Sequence, residues 1–348
     1  FHLAESEEAA RDAEADAADA VPLAMSDPNY EPVARLGDLF LISGKFGEHR
    51  VLCGDARSKA AVETVLGAWT VALVLTDPPY DVPISGHVSG LGKVKHREFV
   101  AVPTTAGTGS EVGRAGVVID EAARRKVIVF HPKLLPVTVI ADPELTVGLP
   151  RTLTVGTGLD ALSHSLEAIC SPVLHPMSHG IGMEGCRLVF EHLPRVIVDP
   201  ADIDSRGQML IAAAMGAVAF QKGLGAMHAL AHPIGATFDT HHGMTNAVVM
   251  PYVLDANRSA IEPTIERLAA YTGVDGGFDG LLDHIVTMRH EMDVPHTLAD
   301  LGVDPGAVDD IAAAAVLDPS AGTNPIPIDH GFAAAIFSAA CAGDLRAA

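Results

Sequence analysis

Apolar residues follow two regimes along the chain. Up to about position 150 they come in short runs bounded by polar or turn residues. Examples are Asp38-Leu39-Phe40-Leu41-Ile42, His49-Arg50-Val51-Leu52-Cys53 and Val71-Ala72-Leu73-Val74-Leu75, then residues 115–119, 127–130 and 137–141. Runs of this length predict strands, and the unbroken 71–75 run, stopping at Asp77-Pro78-Pro79-Tyr80, predicts a buried parallel strand that ends in a loop. Residues 84–99 are rich in Gly, His and Lys and predict irregular chain. After Pro150 the β pattern fades. Ala, Leu and Met recur at helical spacing over residues 159–169, 209–220 and 308–316, which predicts an all-α region. The expected fold class is therefore α/β followed by all-α, with the change at Pro150-Arg151.

Composition narrows the picture. The 348 residues suffice for two domains, and an apolar fraction of 48% with mean hydropathy +0.27 supports a large core. No uncharged apolar run reaches the length of a membrane span. The formal net charge of −21 argues against nucleic acid or a membrane surface as partner, since phosphate contacts need clustered Lys and Arg. Much of the excess lies at the front, where Glu5, Glu7, Glu8, Asp12, Glu14, Asp16 and Asp19 alternate with Ala; residues 1–34 are expected to be an acidic, disordered segment. The start, Phe1-His2-Leu3-Ala4-Glu5, lacks the basic and apolar regions of a signal peptide, and without an initiator Met it suggests a fragment or a trimmed chain. Cys53, Cys170, Cys186 and Cys341 show no CxxC spacing and read as reduced thiols, which implies a cytoplasmic setting.

The polar residues inside the helical region carry the chemistry. In Thr157-Gly158-Leu159-Asp160-Ala161-Leu162-Ser163-His164, Asp160 and His164 are four apart, one helical turn on a common face. An i,i+4 surface pair would look the same. His228 and His232 repeat the spacing within Gly223-Leu224-Gly225-Ala226-Met227-His228-Ala229-Leu230-Ala231-His232-Pro233, among small apolar residues, and His241-His242 follow. One buried His is ordinarily a core residue bonded to a carbonyl, but two on one apolar face point to a site. A carboxylate with three imidazoles suits Fe(II), Zn(II), Co(II) or Ni(II) rather than Mg or Ca.

Five segments, taken in order, resemble the iron-containing alcohol dehydrogenases. They are Pro103-Thr104-Thr105-Ala106-Gly107-Thr108-Gly109-Ser110-Glu111, Asp142-Pro143-Glu144-Leu145-Thr146, residues 157–164, residues 223–233, and His242-Gly243-Met244-Thr245-Asn246-Ala247. The resemblance spans roughly Val102 to Leu345. It implies metal ligands at Asp160, His164, His228 and His242, His232 as a catalytic proton relay, and His241 as structural. It also implies NAD(P) contacts at Thr104, Thr105, Thr108 and Ser110, with lesser weight on Lys126 and Leu145. The implied fold is of the dehydroquinate synthase-like type, a dinucleotide-binding α/β domain followed by a helical metal-binding domain. The implied reaction is hydride transfer between an alcohol or aldehyde and NAD(P), with the metal as Lewis acid. Fe(II) comes from the family, and Zn(II) is compatible with the same ligands. A homo-oligomer stays open.

A second resemblance precedes the first. Gly47-Glu48-His49-Arg50-Val51-Leu52-Cys53-Gly54-Asp55-Ala56 and Leu73-Val74-Leu75-Thr76-Asp77-Pro78-Pro79-Tyr80 are similar to the DNA amino-methyltransferases, in which DPPY follows a strand and holds a flipped base. No FxGxG-type turn for S-adenosylmethionine accompanies it. The iron dehydrogenases' Gly-rich phosphate turn is matched upstream only by Ser89-Gly90-Leu91-Gly92, so the dinucleotide domain reads as partial. The expected organisation is an acidic segment at 1–34, a methyltransferase-like fragment at 35–99, the remaining dinucleotide-binding part at 100–150, and a helical catalytic domain at 151–348. The alternatives to a dehydrogenase are a DNA methyltransferase fragment and an inactive metal-binding chimera.

Overall fold

A computed structural model of the chain describes residues 39–44, 47–52, 100–120, 125–130, 134–136 and 138–345. The acidic segment, the Val71–Tyr80 stretch and Ser89–Gly92 lie outside the described residues. By compactness the chain divides into Phe1–Val74 and Leu75–Ala348. In the first unit, β1 (Leu39–Gly44) and β2 (Gly47–Leu52) form an antiparallel hairpin, with Leu39 opposite Leu52 and Gly44 opposite Gly47.

The second unit opens with short β structure. β3 (Val100–Ala101) pairs in parallel with β6 (Thr138–Val139), and β4 (Ala115–Asp120) pairs antiparallel with β5 (Arg125–Phe130). Between β3 and β4 the Thr/Gly-rich segment runs as an irregular loop into a 3-10 turn at Ser110–Val112. Gly109 has φ 63°, a conformation that favours glycine, and a Cβ there would lie 2.4 Å from the Ala213 carbonyl oxygen. The loop thus docks directly on helical backbone.

Among the described residues nine α-helices follow: α1 (Arg151–Cys170), α2 (Pro176–Val198), α3 (Ile203–Ala219), α4 (Ala226–Phe238), α5 (His242–Ala256), α6 (Arg258–Thr272), α7 (Gly277–Glu291), α8 (Val308–Val316) and α9 (His330–Ala342). α1 is buried on every face over most of its length, as expected of a core helix rather than a surface one. Leu159, Leu162 and Leu166 are fully buried in it, and each such side chain contributes about 1.5–3 kcal/mol of transfer free energy. Around it pack α2, α3 and α5, with α4 against α5. Among the described residues no single helix is long and apolar enough to cross a membrane.

Buried Arg206 on α3 ties the helices to the chain before them. It donates to the Thr146 carbonyl (2.6 Å) and hydroxyl (3.2 Å) and to the Pro200 carbonyl (2.6 Å). It thereby fixes the 3-10 turn Pro143–Thr146, which Asp142 caps by accepting from the Glu144 N–H at 3.0 Å.

Candidate metal centre

Three helices supply the centre. The face of α1 carries Asp160, His164 and Glu167, at helical spacing i, i+4 and i+7. His228 lies in the first turn of α4 and His232 one turn later. α5 starts at His242, and His241 caps it by accepting from the Met244 N–H at 3.2 Å. Gly243 sets the crossing of α5 on α1. A Cβ at that position would meet the Gly156 carbonyl oxygen at 2.2 Å and Asp160 Cβ at 3.0 Å, so only glycine lets His242 come down beside Asp160.

The four implied ligands converge. Asp160 Oδ1 lies 4.0 Å from His164 Nε2, 4.0 Å from His228 Nε2 and 3.6 Å from His242 Nε2. The ligand atoms of Asp160, His164 and His228 all lie within 4.8 Å of one another, a grouping able to hold a metal ion, and His242 joins it through its 3.6 Å approach to Asp160. All four residues are buried. The rings of His164 and His228 stack with centroids 4.8 Å apart, and those of His228 and His242 lie 5.2 Å apart.

Electrostatics agree with this use. Burial alone would raise the Asp160 carboxyl, but His164, then His242 and His228, and the Asn246 amide outweigh it and hold it at about 2. Burial pushes His164 down to about 4 against the opposing pull of Asp160, Glu167 and the Gly107 carbonyl. It drives His242 well below its ordinary value. Burial also works against protonated His228, but Glu167 and then Asp160 overcome it and raise that ring. An ionised carboxylate facing His164 and His242, both held towards the neutral form, is a cation-binding set.

Asn246, one turn after His242, shows what the cluster lacks. Its Nδ2 lies 2.9 Å from Asp160 Oδ1, 3.3 Å from His228 Nε2 and 3.1 Å from His242 Nε2. One amide carries two hydrogens and can serve two of those three acceptors. The site is rich in acceptors and short of positive charge, and the residues fit a bound divalent metal.

His232 stands beside the ligands. Its ring stacks on His242 at 5.4 Å and 10°, its Nδ1 is 2.8 Å from Asp318 Oδ2, and its side chain is 24% exposed. Of the residues implied to touch the dinucleotide, Thr104 and Ser110 are exposed and Thr105 and Thr108 half-buried. Their loop packs on α1 at Gly107, where a Cβ would meet Thr157 Cβ at 2.9 Å. Leu145 is half-exposed on the turn that Arg206 anchors. Lys126 lies on β5; its side chain falls outside the described residues.

Glu167, Asn246 and Asp318 were not singled out by sequence. The spacing itself could have flagged the first two, since Glu167 continues the Asp160/His164 face and Asn246 continues that of His242. Asp318 has no local signal, because it meets His232 across 86 residues.

Comparison with known proteins identifies the family. Residues 154–341 match the family model "Fe-containing alcohol dehydrogenase family, C-terminal", and residues 67–143 match "Iron-containing alcohol dehydrogenase". The second match begins upstream of Val102, where the sequence reading started the resemblance, and overlaps part of the methyltransferase-like stretch. The 4-hydroxybutyrate dehydrogenase of Cupriavidus necator is 39% identical over 244 residues, covering 66% of this chain and 62% of that protein. A crystal structure of 1,3-propanediol oxidoreductase superposes with TM-score 0.68 at 32% identity, covering 70% of this chain and 66% of that one. Sulfoacetaldehyde reductase from Bifidobacterium kashiwanohense, solved in complex with NAD+, gives TM-score 0.66 at 26% identity, over 72% and 67%. The chain thus spans about two-thirds of the length of these relatives. With the helical region matched from α1 to α9 and the segment before it matched as well, the chain belongs to the iron-containing alcohol dehydrogenase family.

Proposed function

We propose that this protein is a metal-dependent, NAD(P)-linked alcohol dehydrogenase acting on a small alcohol or its aldehyde. The observation that carries the reading is the convergence of Asp160, His164, His228 and His242 in a buried cluster, with the Thr104–Ser110 loop packed at Gly107 against Thr157 of the same helix α1. A bound Fe(II), or Zn(II) on the same ligands, would supply Lewis acidity at the alcohol or carbonyl oxygen. Asp160, His164, His228 and His242 would hold it, and their burial keeps water from the reacting centre.

The chain's own proton path runs through His232. Its Nδ1–H donates to Asp318 Oδ2, which leaves Nε2 as the acceptor. A half-buried ring stacked on a ligand can take the alcohol proton on the inside and return it to solvent. Thr104, Thr105, Thr108 and Ser110 offer hydroxyls and backbone N–H groups to the dinucleotide phosphates, with Lys126 and Leu145 as further contacts. Domain limits at 100–150 and 151–348 accord with a cofactor half and a metal half, and reduced cysteines accord with the cytoplasm. The methyltransferase resemblance of residues 35–99 finds no support in the comparisons, which match residues 67–143 to the iron-containing alcohol dehydrogenases instead.

The test is an anaerobic titration of the Fe(II)-loaded chain with NADH, followed by nicotinamide fluorescence. Saturable binding, with NADH consumed on adding an aldehyde, is the expected result. No binding up to saturating nucleotide would leave a metal-binding chimera as the correct description.

A further inference from the structure

Glu167 is a buried carboxylate whose oxygens are both engaged on α4. Its Oε1 accepts the Met227 N–H at 2.6 Å, and its Oε2 lies 2.6 Å from His228 Nδ1. α4 begins after Gly225, which has no side chain to cap it. The first-turn N–H groups are served from elsewhere instead, that of Ala226 by Asn324 Oδ1 at 3.0 Å and that of Met227 by Glu167. A Cβ on residue 225 would meet Asn324 Oδ1 at 2.7 Å and Glu167 Oε1 at 3.1 Å, so the glycine makes room for both acceptors.

We infer that Glu167 is a positioning residue for the metal centre, locking His228 with Nδ1 protonated so that the Nε2 lone pair faces the metal. This rests on the metal-site reading above. The physical reason is that an ionised carboxylate can only accept, so the ring nitrogen it touches must carry the hydrogen. The other side of the ring is compatible with this: the Asn246 amide nitrogen lies 3.3 Å from His228 Nε2, the longest of its three contacts, and suits an acceptor there. Glu167 also holds the first turn of α4 by the Met227 contact, so ring tautomer and backbone position come from one side chain. A carboxylate behind a ligating imidazole raises its basicity and fixes its orientation.

Substitution Glu167→Gln separates the two roles. The amide oxygen can still accept from Met227, but the amide nitrogen then donates to His228 Nδ1 and forces the hydrogen onto Nε2, where it blocks ligation. Turning the amide over restores the ring contact and sets two donors face to face at Met227. The experiment is a Co(II) titration of the full apo chain, read by visible absorption, with circular dichroism and thermal melting of the apo forms alongside. E167Q is expected to keep its helical content and to bind Co(II) about ten- to a hundredfold more weakly than the parent. Should E167Q lose helical content, E167D takes its place. It keeps the charge but falls one methylene short of the ring, and weaker Co(II) binding is again expected. A folded variant that holds Co(II) within twofold of the parent overturns the inference. A parent that binds no Co(II) overturns the metal reading itself.

Discussion

At the scale of single residues, His232 and Asp318 are where turnover and metal binding come apart. His232 touches the ligand set only through its ring, stacked on His242 and edge-on to His228 at 5.8 Å, so His232→Ala should retain the metal and lose turnover by about a hundred- to ten-thousandfold. Asp318→Asn keeps the shape of the side chain but can present a donor to His232 Nδ1. It should cost about ten- to a hundredfold in rate at unchanged metal content. Metal analysis beside steady-state rates checks both, and loss of metal in either variant contradicts the assignment. Much of this site could be read in the sequence because helices impose a period. Asp160 with His164 and His228 with His232 stood out at i,i+4, and the same rule applied one step further reaches Glu167 and Asn246. Asp318 and Asn324 could not be read, because their partners His232 and Ala226 are 86 and 98 residues away and no local pattern encodes such a pairing.

At the scale of elements, the crossing of α1 and α5 holds the centre together. Gly243 lies in the first turn of α5, where alanine is the better helix former by about 1 kcal/mol. The Gly156 carbonyl oxygen, 2.2 Å from the would-be Cβ, reverses that sign. Gly243→Ala should therefore destabilise the protein by about 1–3 kcal/mol or more and weaken metal binding by moving His242 off Asp160. A melting temperature at or above the parent's would show that the crossing gives way freely. The helices themselves were legible from the apolar periodicity after Pro150, and α1 does begin at Arg151. The strand runs at residues 115–119 and 127–130 were also legible, but their pairing is an antiparallel hairpin. A parallel crossover needs a dozen or more residues, and the connection from Asp120 to Arg125 is too short for one. Strand periodicity alone carries no information about direction.

At the scale of the whole molecule, the proposed centre joins elements far apart in the chain: α1, α4 and α5 each contribute a side chain to the cluster. Metal that binds only the folded state stabilises it, by about 2.7 kcal/mol when free metal is a hundredfold above Kd. Chelation should lower the melting temperature of the parent and leave His242→Ala, already short of a ligand, nearly unchanged. An equal shift in both would place the stabilising metal elsewhere. The most direct test of the account is metal stoichiometry. Apo protein would be loaded anaerobically with Fe(II), passed through gel filtration and analysed for iron, with Asp160→Ala and His242→Ala in parallel. The account predicts about one iron per chain in the parent, as a four-ligand site requires, and little in either variant. Iron retained in full by both variants would contradict it.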